Sequence, residues 1–119
     1  MTTWYTRPVW AITDMDRSLD FYIRGLGFHE DWRHGEDAIR IVQVSRAGCE
    51  IILSNQWPER VGRGLAFVSL GEDAAIDALR AEAAARGVPG EDGWWGYRLF
   101  VLRDPDGNQL WLNYPGEQT

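Results

Sequence analysis

Apolar residues recur along this chain with two different periods. Met15, Leu19, Tyr22, Ile23 and Leu26 return at steps of three and four, the spacing that lines one face of a helix. That pattern predicts a helix over 16–25, with Asp14 placed as its N-cap. Ile76, Leu79 and Ala83 repeat the spacing and predict a second helix over 73–86, with Gly87 as its stop. Elsewhere β-branched, aromatic and alternating apolar positions predict strands over 7–12, 28–33, 38–45, 49–54, 65–70, 97–103 and 109–114.

The two helices superpose at an offset of about 57 residues, a self-similarity worth testing early. Asp16, Leu19, Asp20, Tyr22 and Leu26 then fall on Asp73, Ile76, Asp77, Leu79 and Ala83, and residues 9–12 fall on 66–69. Amphipathic helices share such spacing by chance as well. Read as duplication, it predicts two strand-helix-strand-strand-strand units. The second unit lacks one strand, which would have to lie within 88–95, where Gly, Pro and acidic residues show little strand character.

At 119 residues the chain suits one domain with a real core. A formal charge of -6 argues against a nucleic-acid partner, whose affinity comes from Lys and Arg neutralising phosphates; a cationic ligand suits that field better. No apolar run approaches the roughly 20 residues that span a bilayer, and MTTWYTRPVW lacks the basic and apolar regions of a secretory signal. The expectation is a cytoplasmic protein without a membrane partner. Cys49 is the only cysteine, too few for a disulfide or a cysteine-built zinc site.

In Asp104-Pro105-Asp106-Gly107, Pro105 presets one turn position, the two carboxylates can bond following amides, and Gly107 supplies a positive-φ return. A structural turn is the primary reading. Together with Trp95-Gly96-Tyr97-Arg98 upstream and Asn108 after it, and with Thr13-Asp14-Met15-Asp16-Arg17-Ser18-Leu19-Asp20-Phe21-Tyr22 followed by Gly25-Leu26-Gly27-Phe28 near the start, the segment resembles the vicinal-oxygen-chelate proteins. These are the glyoxalase, bleomycin-resistance and dioxygenase superfamily, and the bleomycin- and mitomycin-resistance binders are closest in style.

The resemblance implies an α+β fold of two βαβββ modules, about 6–55 and 63–115, in one domain over 1–119, their strands curled into a cup with helices outside. Strand alternation then places Gln109, Trp111 and Asn113 inward and Leu110, Leu112 and Tyr114 outward. It likewise places Glu50, Ile52, Leu65, Phe67, Arg7 and Val9 inward, against Ile51, Leu53, Ala66, Val68, Leu70, Trp10 and Ile12 outward.

Enzymes of the superfamily hold a divalent metal with inward His and Glu side chains. The matching positions here carry Arg7, Glu50, Leu65 and Trp111, a set that cannot supply a metal's N and O donors. His29 and His34, five apart, are expected on opposite faces of an extended chain. No metal, no cofactor and no catalytic residue is therefore assigned. The alternative is a metal-dependent lyase, isomerase or dioxygenase whose ligands lie elsewhere.

Seven tryptophans are the chain's excess. Trp10 is assigned to the core; alternation turns Trp111 into the cup, and the resemblance to the antibiotic binders implies that Trp32 and Trp95 join it at a ligand groove, where rigid rings can hold planar molecules with little entropy to lose. Phe67 and Phe100 are expected as apolar walls, and Glu50, Arg98 and Asn113 as polar contacts. The implied protein is a metal-free homodimeric binder of an aromatic, antibiotic-like molecule. Trp4 and Tyr5 sit on an N-terminal arm that such relatives exchange between subunits.

Overall fold

The computed structural model describes residues 2–118. Two four-stranded mixed sheets form in sequence, each a strand-helix-strand-strand-strand unit. The first takes β1 (Val9–Ala11), α1 (Met15–Leu19), β2 (His29–His34), β3 (Ile41–Arg46) and β4 (Cys49–Ser54) in the order β1-β4-β3-β2. The second takes β5 (Leu65–Val68), α2 (Asp73–Ala85), β6 (Glu91–Trp94), β7 (Tyr97–Arg103) and β8 (Gln109–Gln118) in the order β5-β8-β7-β6. In each, the first strand runs parallel to the fourth, which a crossover helix makes possible.

The first helix begins as expected, with the Asp14 carboxylate accepting from the Arg17 amide at 3.2 Å, satisfying one of the free amides of the first turn. Beyond Leu19 it widens into a π-helical turn over Asp20–Gly25, so the predicted 16–25 helix is one element of two geometries. Both helices lay their apolar stripes on the outer face of the sheets, where Trp10, Ile12, Tyr22, Ile51, Leu53, Ile76, Leu110, Leu112 and Tyr114 form one core. No helix is long and apolar enough to cross a membrane among the described residues.

The strand missing from the sequence pattern is β6. It pairs with β7 through Glu91–Val101, Asp92–Phe100, Gly93–Leu99 and Trp94–Arg98. Propensity is overridden here by close packing. A side chain at Gly90 would meet the Phe100 ring at 2.2 Å, so only glycine lets the edge approach. Its acidic residues are held by neighbours, Glu91 by Arg103 at 2.6 Å and Asp92 by Arg80 at 2.8 Å, and charge on an exposed edge discourages pairing with other chains.

The Asp-Pro-Asp-Gly segment is a turn, closed by Gly107 N–H to Asp104 O at 3.0 Å with Gly107 at φ 96. It also ties the modules together. Asp104, buried, accepts from the Asp106 and Asn108 amides, from the Asn108 side chain at 3.0 Å and from the Tyr22 hydroxyl at 2.9 Å. Asn108 in turn accepts from Gly64 N–H at 2.7 Å and donates to Ala11 O at 3.2 Å. Asp106 bonds no following amide; it receives the backbone N–H and hydroxyl of Thr13 instead. Burial, and then the adjacent Asp104 carboxylate, push the Tyr22 phenol well above its ordinary range.

Candidate functional site

Residues paired across neighbouring strands project to the same face of a sheet, so the registers define two concave surfaces. On the second sheet the row Phe67–Trp111–Val101–Glu91 crosses all four strands. The tight turn between β6 and β7, with Gly96 at φ 70, brings Trp95 over this row. Its ring centroid lies 5.6 Å from Trp111 and 5.8 Å from Phe67, and Tyr97 stands 5.8 Å from Phe67 on the other side. Edge-to-face and tilted geometries at these separations are the favoured arrangements of aromatic quadrupoles.

The cluster is not closed over. Trp95 remains 60% and Phe67 43% exposed, so about half of a large apolar surface still faces outward. Trp111 donates its indole N–H to Gln109 Oε1 at 2.8 Å, which fixes the ring plane. Asn113, nearly buried, accepts from the Ser69 hydroxyl at 3.0 Å at the cluster's flank.

The first sheet's concave face has a different chemistry. Its central row is Val9–Ile52–Gln43–Trp32. Arg7 donates to Gln43 Oε1 at 2.6 Å, Gln43 donates to Asp31 at 2.9 Å, and Ser45 donates to the other Asp31 oxygen at 2.8 Å. Glu50 Oε1 is shielded from solvent without any hydrogen-bond partner, a costly state for a carboxylate oxygen.

The face assignments made by alternation hold at Trp10, Ile12, Ile51, Leu53, Leu110, Leu112 and Tyr114, all buried, and at Val9, Leu65 and Phe67, which stand exposed on the concave side. Of the expected groove residues, Phe67, Trp95 and Trp111 converge, with Asn113 beside them. Trp32 and Glu50 lie on the first sheet's concave face. Phe100 and Arg98 do not belong to either. Phe100 pairs with Leu112 and is fully buried on the helix side, and the Arg98 guanidinium lies 4.2 Å over the Tyr114 ring on that same side. The correction comes from strand parity: Tyr97, Leu99 and Val101 take the concave positions on β7. Tyr97 is thus the ring that motif matching overlooked and alternation along β7 would have found.

A second correction concerns the histidines. A bulge between Glu30 and Trp32 inserts one residue into β2, so His29 pairs with Ser45 and His34 with Ile41, and both project to the concave side. One extra residue reverses the parity that simple counting predicts. His34 lies 5.4 Å from the Trp32 ring, and the bulge also aims Asp31 at Gln43 and Ser45.

Superfamily enzymes imply a metal, and the residues here do not fit one. Arg7 is engaged with Gln43, Leu65 and Trp111 offer no donor atom, and Glu50 stands alone among the four matching positions. Among the described residues no three His, Cys, Asp or Glu side chains gather as a metal centre would need.

Paired βαβββ units with open concave faces define a cup-sheet binding or catalytic scaffold, a class that fits several chemistries. A family model described as the Glyoxalase/Bleomycin resistance protein/Dioxygenase superfamily matches residues 7–112, and the chain belongs to that superfamily. Among solved structures, an antibiotic binding protein, TnmS3, from Streptomyces sp. CB03234 is 25% identical with a TM-score of 0.74, over 97% of this chain and 98% of that one. A glyoxalase/bleomycin resistance protein from the same source is 25% identical, TM-score 0.68, covering 90% and 96%. A lactoylglutathione lyase from Agrobacterium tumefaciens shares the fold at 18% identity and TM-score 0.72, over 96% and 95%. No curated protein matches.

Proposed function

We propose that this protein is a metal-free binder of a planar aromatic, antibiotic-like small molecule, holding it by stacking rather than by coordination. The observation that carries the reading is the half-exposed cluster of Phe67, Trp95, Tyr97 and Trp111 on one concave face. Each ring offers about 0.5–1.5 kcal/mol of stacking beyond area burial, and basic groups over such rings add on the order of 0.5–2 kcal/mol. Its likeness to TnmS3, by name an antibiotic binding protein, supports the same reading. In this reading Asn113 adds a polar contact beside the rings, and Trp32 and Glu50, on the first sheet's concave face, add a ring and an acceptor once a second copy completes the groove.

The working form in this proposal is a homodimer. Val9, Leu65, Phe67 and Trp95 leave apolar surface uncovered, and Trp4 is 90% exposed on the N-terminal arm, a pattern that marks interaction surfaces. A second copy laid against these faces would complete the groove.

Titrating bleomycin- and mitomycin-type compounds against intrinsic tryptophan fluorescence tests the function. Saturable quenching is expected, with Trp111→Ala weakening it at least about tenfold, near 1.4 kcal/mol. Sedimentation of the unliganded protein tests the dimer. Stoichiometric Zn, Ni, Mn or Fe in protein purified without chelators would sink the metal-free reading.

A further inference from the structure

On the concave face of the first sheet a cation and an anion are joined only through an amide. Arg7 and Asp31 are both exposed, and the buried side chain of Gln43 stands between them. Its oxygen accepts from Arg7 at 2.6 Å and its nitrogen donates to Asp31 Oδ2 at 2.9 Å. A charged partner on each side orients the amide. The bulge between Glu30 and Trp32 turns Asp31 toward this face, as bulges do where a side chain is re-aimed, and Ser45 holds the second Asp31 oxygen at 2.8 Å. The Arg7 guanidinium lies 5.2 Å over the Tyr5 ring, a contact through its flat face that leaves the N–H groups at its edge available.

Neither charged group is used up. Gln43 takes one nitrogen of a guanidinium that has further donors, and each Asp31 oxygen accepts one bond where a second lone pair remains. An amine alone on Asp31 would lie one amide away from the Arg7 charge. A carboxylate alone on Arg7 would lie as close to Asp31, and Glu50, paired with Ser45 on the same face, would oppose it further. A molecule that carries both charges meets a partner at each end. Gln43 already displays the match, offering an acceptor to Arg7 and a donor to Asp31. An α-amino acid offers a carboxylate and an ammonium in the same sense, with two carbon atoms between the polar atoms instead of one. Trp32, in register with Gln43 and partly exposed, sets a ring beside them.

We infer that this face binds an α-aminocarboxylate, with its carboxylate on Arg7, its ammonium on Asp31 and its side chain against Trp32. The site uses none of the four clustered rings of the second sheet and stands without the reading built on them.

L-Phenylalanine, phenethylamine and 3-phenylpropanoate are the probes, one ring with both charges, the cation alone and the anion alone. Each is titrated into isotope-labelled protein, with calorimetry for affinity and the NMR signals of the Gln43 side-chain amide and the Trp111 indole N–H for location. Phenylalanine is expected to bind one to one, to shift the Gln43 amide, and to bind at least tenfold tighter than phenethylamine, with 3-phenylpropanoate weakest. Arg7→Met should erase its advantage over phenethylamine, and Asp31→Asn its advantage over 3-phenylpropanoate. Glu59→Gln, an exposed acid, should change none of the three. No binding of phenylalanine, equal binding of the probes, or an advantage that survives both substitutions overturns the inference. Should either variant fail to fold, the ranking of the probes and the Gln43 shift in the natural protein still decide. Phenylalanine that shifts the Trp111 indole and leaves the Gln43 amide still would sit in the aromatic groove, which removes this inference and leaves that reading standing. The expected phenylalanine result, with no tryptophan quenching by planar aromatic compounds, would do the opposite.

Discussion

The two modules present corresponding turns, β3–β4 in the first and β7–β8 in the second, and these turns do opposite things where the modules meet. At the β7–β8 turn, Asp104 and Asn108 form a buried network with Tyr22, Ala11 and Gly64, and Gly64 lets Trp10 pack so tightly that a Cβ there would lie 2.6 Å from its ring. At the β3–β4 turn, Arg46 and Glu82 form a half-exposed ion pair over an alanine-lined cavity. One end of the seam is stapled and the other is roomy. Burial explains the difference in consequence: hydrogen bonds with no access to water are costly to lose, whereas an exposed ion pair is replaced by water and salt.

Breaking the staple should have the largest effect. Asp104→Ala strands the Tyr22 hydroxyl and the Asn108 donors, at about 1–3 kcal/mol for each buried group left unpaired, so a loss of roughly 2–5 kcal/mol is expected in urea denaturation. Tyr22→Phe removes one donor and leaves Asp104 its other three; about 1.5–3 kcal/mol is expected, as for a bond to a charged group.

The same tyrosine sharpens the comparison through pH. Its phenol is raised by burial and by Asp104, so its contribution is fully present below the unfolded value near about pH 10 and is lost as pH climbs toward the folded one. Thermal melts above pH 10 should therefore fall in the natural protein, and Tyr22→Phe should lack that part of the fall. At the roomy end, Arg46→Ala should cost under about 1 kcal/mol. If it matched Asp104→Ala, the contrast between the two ends would be lost.

The concave faces differ as sharply. The aromatic one was legible because period-two alternation needs only strand existence: Trp111, Phe67 and Asn113 follow from it directly. Motif matching brought out Trp95, which the β6–β7 turn swings over the sheet, but it misplaced Arg98, and the expected apolar wall at Phe100 lies with Arg98 on the opposite face of β7. The first sheet resisted because a bulge is invisible in composition. Nothing around Asp31 announces an inserted residue, yet that residue turns His29, Asp31, Trp32 and His34 to the concave side together.

The repeat carries the same lesson. An offset near 57 suits the helices, but Val9 and Phe67 face the same side and are separated by an even number of residues, so the strands align at a different offset from the helices. A helix tolerates a one-residue shift by rotating its stripe, while a strand exchanges its faces.

What the amino-acid order determined by itself was local: helix stripes and caps, the Asp104–Gly107 turn, and which side of each regular strand is apolar, because these depend on neighbours within a few residues. The tertiary structure alone decided what depends on distant partners. Those features are the β6 edge held by β7, the bulge in β2, the staple that makes Asp104 a joint between modules, and the pocket left between the two modules near the β3–β4 turn.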